Sequence, residues 1–453
     1  MTLVLLILGI QGTFYHPGEW NQNARLGAAV AFVEPGTPYT GTFRIDGLKD
    51  GKRFFTDDWA FSRGAFYSNK APGVSFLAVV PYFVLFHLER WAGGDPAAPG
   101  LTQINAFVLN LWISVFWNIV AALALLRRLP GLGIHSREGA FVVALIYSLA
   151  TLVLPYGCSA WGHSTAAAFI TLGTLDVAEG SRARCLLGGL WLGMAALTEY
   201  LAALSLAAAM IYVLAGSDRW ERAWKLLTGS AAPIAALLLY QELAFGSYFT
   251  TAASLSIPYV HPEKVGGFFG APSIGNLLGM LFGRGRGFFW QMPLLLLAVF
   301  GVASWYRSGR RAFLALMIAN IALYALSIAG LDFYQGGLTT SMRYMIIALP
   351  FFCVLLPDFR AFAYRKTFLL LFAVTAANMF VLAATSTMYG SESPLSEAAY
   401  PDFWRGVVAF NPILARLGVA GTVPAFTVAV AYVLALGWLL RTVLMSRRLP
   451  EIP

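Results

Sequence analysis

The sequence predicts an all-α polytopic membrane protein, with about 12 transmembrane helices in a single domain spanning 1–453. Hydrophobic residues make up 58% of its 453 residues and charged residues only 12%, where an average soluble domain has about 25% charged residues. Mean hydropathy is +0.68. Because the hydrocarbon core of a bilayer offers backbone groups no hydrogen-bond partner, the long apolar runs are expected to be helices.

Each predicted span is a predominantly apolar run. The first is short and has neither a charged leading region nor a cleavage site, so we expect a retained span rather than a removed signal peptide. The three cysteines lie in or beside apolar runs without metal-type spacing, which indicates packing residues. The predicted spans lie near 2–16, 104–126, 139–156, 164–178, 185–200, 201–216, 226–245, 288–306, 312–330, 344–357, 367–385 and 422–445.

Short basic groups between the spans account for much of the net charge of +9. They follow the positive-inside pattern and therefore indicate a membrane orientation, not nucleic-acid binding. All of them fall on the cytoplasmic side if the apolar segment 73–91 does not cross the membrane. We therefore expect 73–91 to be an amphipathic helix in the outer interface, with a true span as the alternative. The groups lie near 127–137, 182–184, 219–225, 307–311, 360–366 and 441–448.

This orientation makes residues 17–103 a long first outer loop, which is expected to contain interfacial helices and the active-site motif. The loop carries two adjacent carboxylates, Asp57 and Asp58, followed by Lys70 just before a Pro-Gly break. A partly desolvated carboxylate can serve as a general base, and a cation at the membrane edge can hold a lipid phosphate. The alternatives are a solvated charged loop and a lysine that merely reaches the interface.

Three further positions on the predicted outer face carry side chains that could take part in catalysis or binding. His163 lies in a short loop between two spans, where it could orient a base or simply pack. Glu199 follows a fully apolar run, and an ionisable residue there is costly unless it has a function. Arg343 stands at a helix start after Gly336–Gly337, which is a favourable arrangement for binding an anion. The segment Gly283–Gly287 places two arginines between glycines, either to grip phosphate or to flank a span.

These motifs together resemble the GT-C superfamily of integral-membrane glycosyltransferases, which includes protein O-mannosyltransferases and aminoarabinose transferases. The resemblance covers roughly residues 1–350 and is closest to an uncharacterised bacterial branch. It rests on Trp20-Asn21-Gln22-Asn23-Ala24-Arg25, Tyr67-Ser68-Asn69-Lys70-Ala71-Pro72-Gly73, Gly162-His163, Leu197-Thr198-Glu199-Tyr200, and Gly336-Gly337 with Arg343-Tyr344.

The resemblance implies an inverting transferase in the bacterial cytoplasmic membrane, with its active site facing outward. It would move a sugar from a polyprenyl-phosphate donor to a hydroxyl of a glycan, lipid or protein. Lys70, Arg343 and Arg25 would contact the donor phosphate, and His163 would occupy a catalytic place in the second outer loop. The matched motifs also supply candidate substrate-binding residues, which are Glu199, Tyr67, Asn69, Asn23 and Tyr344.

The chain departs from the family where an acidic pair is expected after the first span, because Asn21-Gln22-Asn23 stands there. The base must then come from elsewhere in the first loop. Asp58 is preferred and Asp46 comes next, with Asp57 and Glu34 as competitors. The chemistry requires no cofactor, although Asp57 and Asp58 could hold a divalent cation.

Two other functions remain open at this point. A transporter or flippase of lipid-linked saccharides would need polar residues deep inside several spans, and these spans are mostly apolar. An oligosaccharide polymerase or ligase would also use outer-loop arginines, but it would carry its large outer loop late in the chain. Either class would share the lipid bilayer and a lipid-linked saccharide as partners.

Overall fold

A computed structural model describes residues 1–35, 41–51, 53–133, 135–256, 269–359 and 363–445. The fold is helical, apart from one two-stranded antiparallel sheet within these ranges. This confirms the predicted all-α class. The predicted basic residues Arg360, Arg447 and Arg448 lie outside the described residues.

The elements follow one another closely along the chain. The α-helices are Thr2–Thr13, Trp20–Val33, Asp46–Lys49, Gly73–Trp91, Pro99–Asn110, Trp117–Arg128, Arg137–Leu149, Val153–Tyr156, His163–Glu179, Arg182–Thr198, Ala203–Leu214, Arg219–Phe245, Ile274–Phe282, Phe288–Gln291, Ala298–Arg307, Arg311–Ala329, Leu349–Val354, Arg365–Ala384, Tyr400–Arg405, Pro412–Arg416 and Thr422–Met445. Tighter or wider helical turns are Leu111–Phe116, Leu129–Leu132, Tyr200–Ala202, Ala252–Leu255, Pro293–Leu297, Arg343–Ala348 and Leu395–Ala399, and the strands are Trp59–Ser62 and Ala65–Ser68.

Six helical segments in the described chain are long and apolar enough to cross a membrane. This is fewer than the predicted number of spans, because several predicted spans are short or interrupted. The predicted span 288–306, for example, is broken at Met292–Pro293, where proline cannot continue a helix from the residues before it. The six segments are Gly73–Trp91, Pro99–Leu132, Arg219–Phe245, Arg311–Ala329, Arg365–Ala384 and Thr422–Arg441.

Glycines let the helices Arg182–Thr198 and Arg219–Phe245 pack backbone against backbone. A Cβ atom added at Gly189 would lie 2.0 Å from the Leu226 carbonyl oxygen, and one at Gly229 would lie 1.9 Å from that of Leu186. Small residues at such contacts are how helices approach closely in membranes, where no hydrophobic force drives them together. This tight pair fixes the position of Thr198 and therefore of Glu199, which follows the helix.

The first loop folds around the two-stranded sheet. Trp59 pairs with Ser68 and Ala60 with Tyr67, and the connection is Arg63–Gly64. Both connecting residues have positive φ angles, 50° and 74°, as a type I′ hairpin turn requires. The two strands therefore run antiparallel, and the residues just before and just after the hairpin lie next to each other.

Candidate active site

Asp58 and Lys70 meet at the open end of the hairpin. The Asn69 amide nitrogen donates to the Asp58 carbonyl at 3.2 Å, which extends the strand pairing by one step. Lys70 Nζ lies 3.1 Å from Asp58 Oδ2, and both side chains are largely buried. The Asn69 side chain donates to Ser256 Oγ at 2.9 Å and to Asp58 Oδ1 at 3.4 Å. The hairpin thus turns two separate sequence motifs into one ion pair.

Arg25 joins three elements beneath this ion pair. It lies on the helix Trp20–Val33, is 1% exposed, and pairs with Glu199 through Nη2 and Oε1 at 2.5 Å. Its Nη1 donates to the carbonyl oxygens of Ala71 (3.3 Å) and Thr198 (3.4 Å), and its Nε donates to Asn21 (3.0 Å). Because all three guanidinium nitrogens bond to the protein, Arg25 acts as a brace.

His163 shares the carboxylate of Glu199 with Arg25. Its Nδ1 lies 3.3 Å from Glu199 Oε1, and its buried Nε2 has no hydrogen-bond partner within the described structure. Gly162 precedes it with a φ angle of 86°. A Cβ atom at Gly162 would lie 2.8 Å from Arg25 Nη1 and 2.9 Å from Glu199 Oε1, so only glycine lets the loop before His163 come this close.

Arg343 lies in an aromatic frame next to His163. Its guanidinium carbon lies 4.7 Å from the Trp161 ring centre and 5.0 Å from that of Tyr344, and Nη2 donates to Tyr344 Oη at 3.1 Å. The Tyr344 ring also meets the His163 ring edge-on at 5.7 Å. Arg343 Nε is buried without a partner in the described chain. Of the two predicted phosphate-binding arginines, Arg343 has a buried nitrogen without a partner, whereas all three guanidinium nitrogens of Arg25 are bonded.

Glu19 completes the site, and the sequence analysis did not single it out. It lies between the helices Thr2–Thr13 and Trp20–Val33, and it accepts hydrogen bonds from Trp161 Nε1 and, at 3.1 Å, from Thr387 Oγ1. Burial raises the pKa of the Glu19 carboxyl to about 7. These two hydrogen bonds and the charge of Arg343 oppose that rise without cancelling it.

Asp58 and Glu19, two of the carboxylates influenced by Arg343, differ in their proton affinity. Burial acts to raise the pKa of Asp58, but Lys70, Arg343 and the local hydrogen bonds outweigh it and hold this pKa below its usual range. Glu19 has no cation in direct contact among the described residues, so its pKa stays high. Near neutral pH, Asp58 is therefore a fixed negative charge and Glu19 is able to gain or lose a proton.

Other predicted candidates lie elsewhere in the first loop. Asp46 pairs with Arg44 at 3.3 Å and accepts a hydrogen bond from the Phe66 amide. Tyr67 packs edge-on against Phe245. These contacts hold the hairpin and its neighbouring helix in place, and the predicted catalytic and substrate-binding roles of the two side chains stay predictions.

Three more polar groups stay outside the cluster. The amide of Asn23 donates to the Phe55 carbonyl oxygen, and Glu34 pairs with Arg53 at 2.8 Å. Asp57 is partly exposed and does not join Asp58 at Lys70. Across the described ranges, no group of three or more His, Cys, Asp or Glu side chains could hold a metal ion. A divalent cation at Asp57–Asp58 stays a prediction.

Arg286, one of the two arginines between glycines, braces two loops. Arg286 donates to the backbone carbonyl oxygens of Gly337 (2.9 Å) and Ser391 (2.8 Å). It thereby ties the segment before Arg343 to the segment after Thr387. A role of this motif in gripping phosphate or in flanking a span stays a prediction.

Comparisons with known proteins place few constraints on the chain. No protein-family model matches it, and no curated protein sequence does either. One similar solved structure is the archaeal oligosaccharyltransferase AglB from Archaeoglobus fulgidus, in complex with an inhibitory peptide and a dolichol-phosphate. The TM-score is 0.44 and the sequence identity 12%, over 84% of this chain and 55% of that one. The chain thus spans about half the length of that protein.

Proposed function

We propose that this protein is an inverting glycosyltransferase, which moves a sugar from a polyprenyl-phosphate donor to an acceptor hydroxyl at the outer surface of a membrane. The observation that carries the proposal is the gathering of Lys70, Arg343 and Glu19, with Asp58, in one partly buried site of an otherwise apolar helical protein. Charged groups are costly in such surroundings, so a function is the expected reason for keeping them.

The cations suit a phosphate leaving group. Arg343 has a buried Nε without a partner, and its aromatic frame holds the guanidinium in one place. Lys70 is 18% exposed and is oriented by Asp58, which leaves its other N–H groups available. Positive charge fixed in advance near the departing phosphate would stabilise the transition state more than the ground state.

The reaction is a single displacement. The acceptor O–H bond breaks and its proton passes to a carboxylate. The acceptor oxygen bonds to the anomeric carbon from the face opposite the phosphate. The bond between that carbon and the phosphate oxygen breaks, and the polyprenyl phosphate leaves with the electron pair beside Lys70 and Arg343. No metal is needed in this scheme, because the two side chains balance the charge of the leaving phosphate.

We assign the proton-accepting role to Glu19 in place of Asp58, the base that the sequence favoured. A general base works best when its pKa lies near the operating pH. The pKa of Glu19 is raised to about 7, whereas Lys70 and Arg343 hold that of Asp58 below its usual range. Asp58 then orients Lys70 and offsets part of the positive charge.

The test is a transfer assay in detergent or liposomes with a panel of radiolabelled polyprenyl-phosphate sugars. The wild-type protein is expected to transfer at least one of them to a hydroxyl acceptor. Glu19→Gln is expected to lose about 10²-fold or more of the turnover rate, because it removes the base. Lys70→Ala should reduce the turnover rate by a comparable factor through loss of leaving-group stabilisation.

Matched controls come from the same loop. Lys49 and Asp50 form an ion pair at 2.6 Å, in which the Lys49 side chain is 11% and the Asp50 side chain 73% exposed. Lys49→Ala and Asp50→Asn therefore change the same types of charge, at similar and at greater exposure, outside the cluster. Both should keep wild-type rates. The proposal fails if folded wild-type protein transfers none of the sugars, or if Glu19→Gln and Lys70→Ala are as active as the Lys49 and Asp50 variants.

A further inference from the structure

Glu19 is connected to a second buried group through a single hydroxyl. Thr387 is fully buried, and its Oγ1 lies 3.1 Å from Glu19 Oε1. Two donors of Thr340, its amide nitrogen (3.0 Å) and its Oγ1 (3.3 Å), fix the carbonyl oxygen of Thr387. The hydroxyl is therefore held in place by a segment of the chain far from the first loop.

His16 lies on the other side of the same hydroxyl. Its Nε2 is 2.9 Å from the Ala383 carbonyl oxygen, and its Nδ1 is 3.5 Å from Thr387 Oγ1. A carbonyl oxygen can only accept a hydrogen bond, so Nε2 carries the proton. In a neutral imidazole Nδ1 is then an acceptor. His16 is 3% exposed, which favours the neutral ring.

The Thr387 hydroxyl has one proton and two possible acceptors. When Glu19 is ionised, the proton points to Oε1. When Glu19 is protonated at Oε1, the carboxyl donates to Thr387 Oγ1, and the hydroxyl proton turns to His16 Nδ1. Both states of Glu19 are thus hydrogen-bonded without movement of any heavy atom.

We infer that Thr387 and His16 are positioning residues, whose hydrogen-bond chain reverses direction when Glu19 takes up the proton of the acceptor hydroxyl. The inference rests on the proposed function, since it concerns the base of that reaction. It gives a role to two residues that touch neither the donor phosphate nor the reacting carbon. The proton that leaves the acceptor ends on Glu19 Oε1. The hydrogen-bond chain from Glu19 through Thr387 to His16, here called the relay, only redirects a proton that Thr387 already holds.

Several other groups act on Glu19, and they must be held constant in a test. The positive charge of Arg343 favours the ionised form. The remaining titratable neighbours become charged only far from neutral pH, and they are Tyr15, Tyr156 and Cys158. A change confined to the relay therefore leaves the other influences on Glu19 in place.

The two relay residues should shift the titration of Glu19 in opposite directions. Thr387→Val removes a donor to the ionised carboxylate, so the acidic limb of the pH–rate profile should move to higher pH by about one unit. His16→Leu has no acceptor for the Thr387 hydroxyl, and it also lacks the N–H that bonds the Ala383 carbonyl oxygen. It makes protonated Glu19 less favourable and should move the acidic limb to lower pH.

Conservative variants separate these effects from misfolding. Thr387→Ser keeps the hydroxyl and should retain the wild-type profile. Thr385→Val removes a nearby hydroxyl that donates to the Val381 carbonyl of the preceding helix, and it should leave the profile unchanged. The inference would be overturned if the acidic limb moved in the same direction in both relay variants, or if it moved in neither.

A second readout needs no substrate. An infrared pH titration of purified protein follows the protonated carboxyl band, and Glu19→Gln identifies which part of that band belongs to Glu19. Opposite displacements of this titration in Thr387→Val and His16→Leu support the relay even if the wild-type protein transfers no sugar. An inactive wild type would then count against the proposed function alone, whereas unshifted titrations in an active enzyme would count against the relay alone.

Discussion

The buried guanidinium of Arg25 connects several segments of the site. It holds Glu199, Asn21 and two backbone carbonyls, so Arg25→Met would leave Glu199 without its direct cationic partner. Breaking such a buried pair costs about 3 kcal/mol or more in the free energy of unfolding. We expect a loss of this size from denaturant titrations in mixed micelles.

The control for Arg25 is an exposed ion pair of the same type. Arg182 and Glu221 lie 2.6 Å apart, but their side chains are 63% and 44% exposed. Arg182→Met should cost less than about 1 kcal/mol, because water screens such pairs. Equal losses in Arg25→Met and Arg182→Met would show that Arg25 is no brace. A raised KM for the donor in stable Arg25→Met protein would support phosphate binding, as the sequence suggested.

The pH dependence of turnover distinguishes Glu19 from Asp58 as the base. A base must be ionised to accept a proton, so the rate should fall as pH drops through its pKa. With Glu19 this acidic limb lies at about pH 7. With Asp58 it would lie below the usual carboxylate range, because Lys70 and Arg343 lower that pKa. Initial rates between about pH 4 and 9 check this. A rate that stays unchanged as the pH falls to about 5 would exclude Glu19 as the base.

At this scale the sequence predicted some residues and missed others for physical reasons. Lys70 and Arg343 were found because a charge beside an apolar run is costly, and the structure brings both into one cluster. Glu19 was missed because the resemblance placed the expected acidic pair at the amide residues that follow it. It is nevertheless the only carboxylate before the second helix. Thr387 carries no local signal, since a single hydroxyl gains meaning only from its distant neighbours.

At the scale of the elements, a close helix contact sets the geometry of the site. Gly73 begins the helix after Lys70, and a Cβ atom there would lie 2.7 Å from the Leu197 carbonyl oxygen and from Thr198. Gly73→Ala would therefore push Lys70 away from Glu199. Because a misplacement of about 1 Å can cost 10²-fold in rate, we expect a large fall in turnover with a smaller loss of thermal stability.

The control for this contact is another helical glycine. Gly9 has no atom within 4 Å of an added Cβ, so Gly9→Ala should keep both rate and melting temperature. Unchanged transfer rates in Gly73→Ala would mean that the contact does not position the site. The hairpin beside it could have been predicted from the sequence, since Arg63–Gly64 stands between two short runs of β-forming residues.

At the scale of the whole molecule, the apolar periodicity predicted the fold class, but it could not decide how each helix lies in the membrane. Gly73–Trp91 is long and apolar enough to cross, whereas we propose from its contacts that it lies in the interface. Asp58 pairs with Lys70 before this helix, while Arg53 contacts Tyr82 within it and the Pro96 carbonyl after it. Fully extended, the backbone between Arg53 and Asp58 spans at most about 17 Å. The 19-residue helix is about 28 Å long.

A polar loop that follows a helix over much of its length would enter the hydrocarbon if that helix crossed the bilayer, at a high cost in desolvation. Cysteine labelling with a membrane-impermeant maleimide tests this, and the three natural cysteines are buried and should not interfere. Asp50→Cys and Asp95→Cys lie before and after the helix and should both react from the outside, whereas Arg182→Cys should react only after permeabilisation. Labelling of Asp95→Cys from the opposite side to Asp50→Cys would show that Gly73–Trp91 crosses. Labelling of Asp50→Cys from the cytoplasm would remove the site from the outer surface.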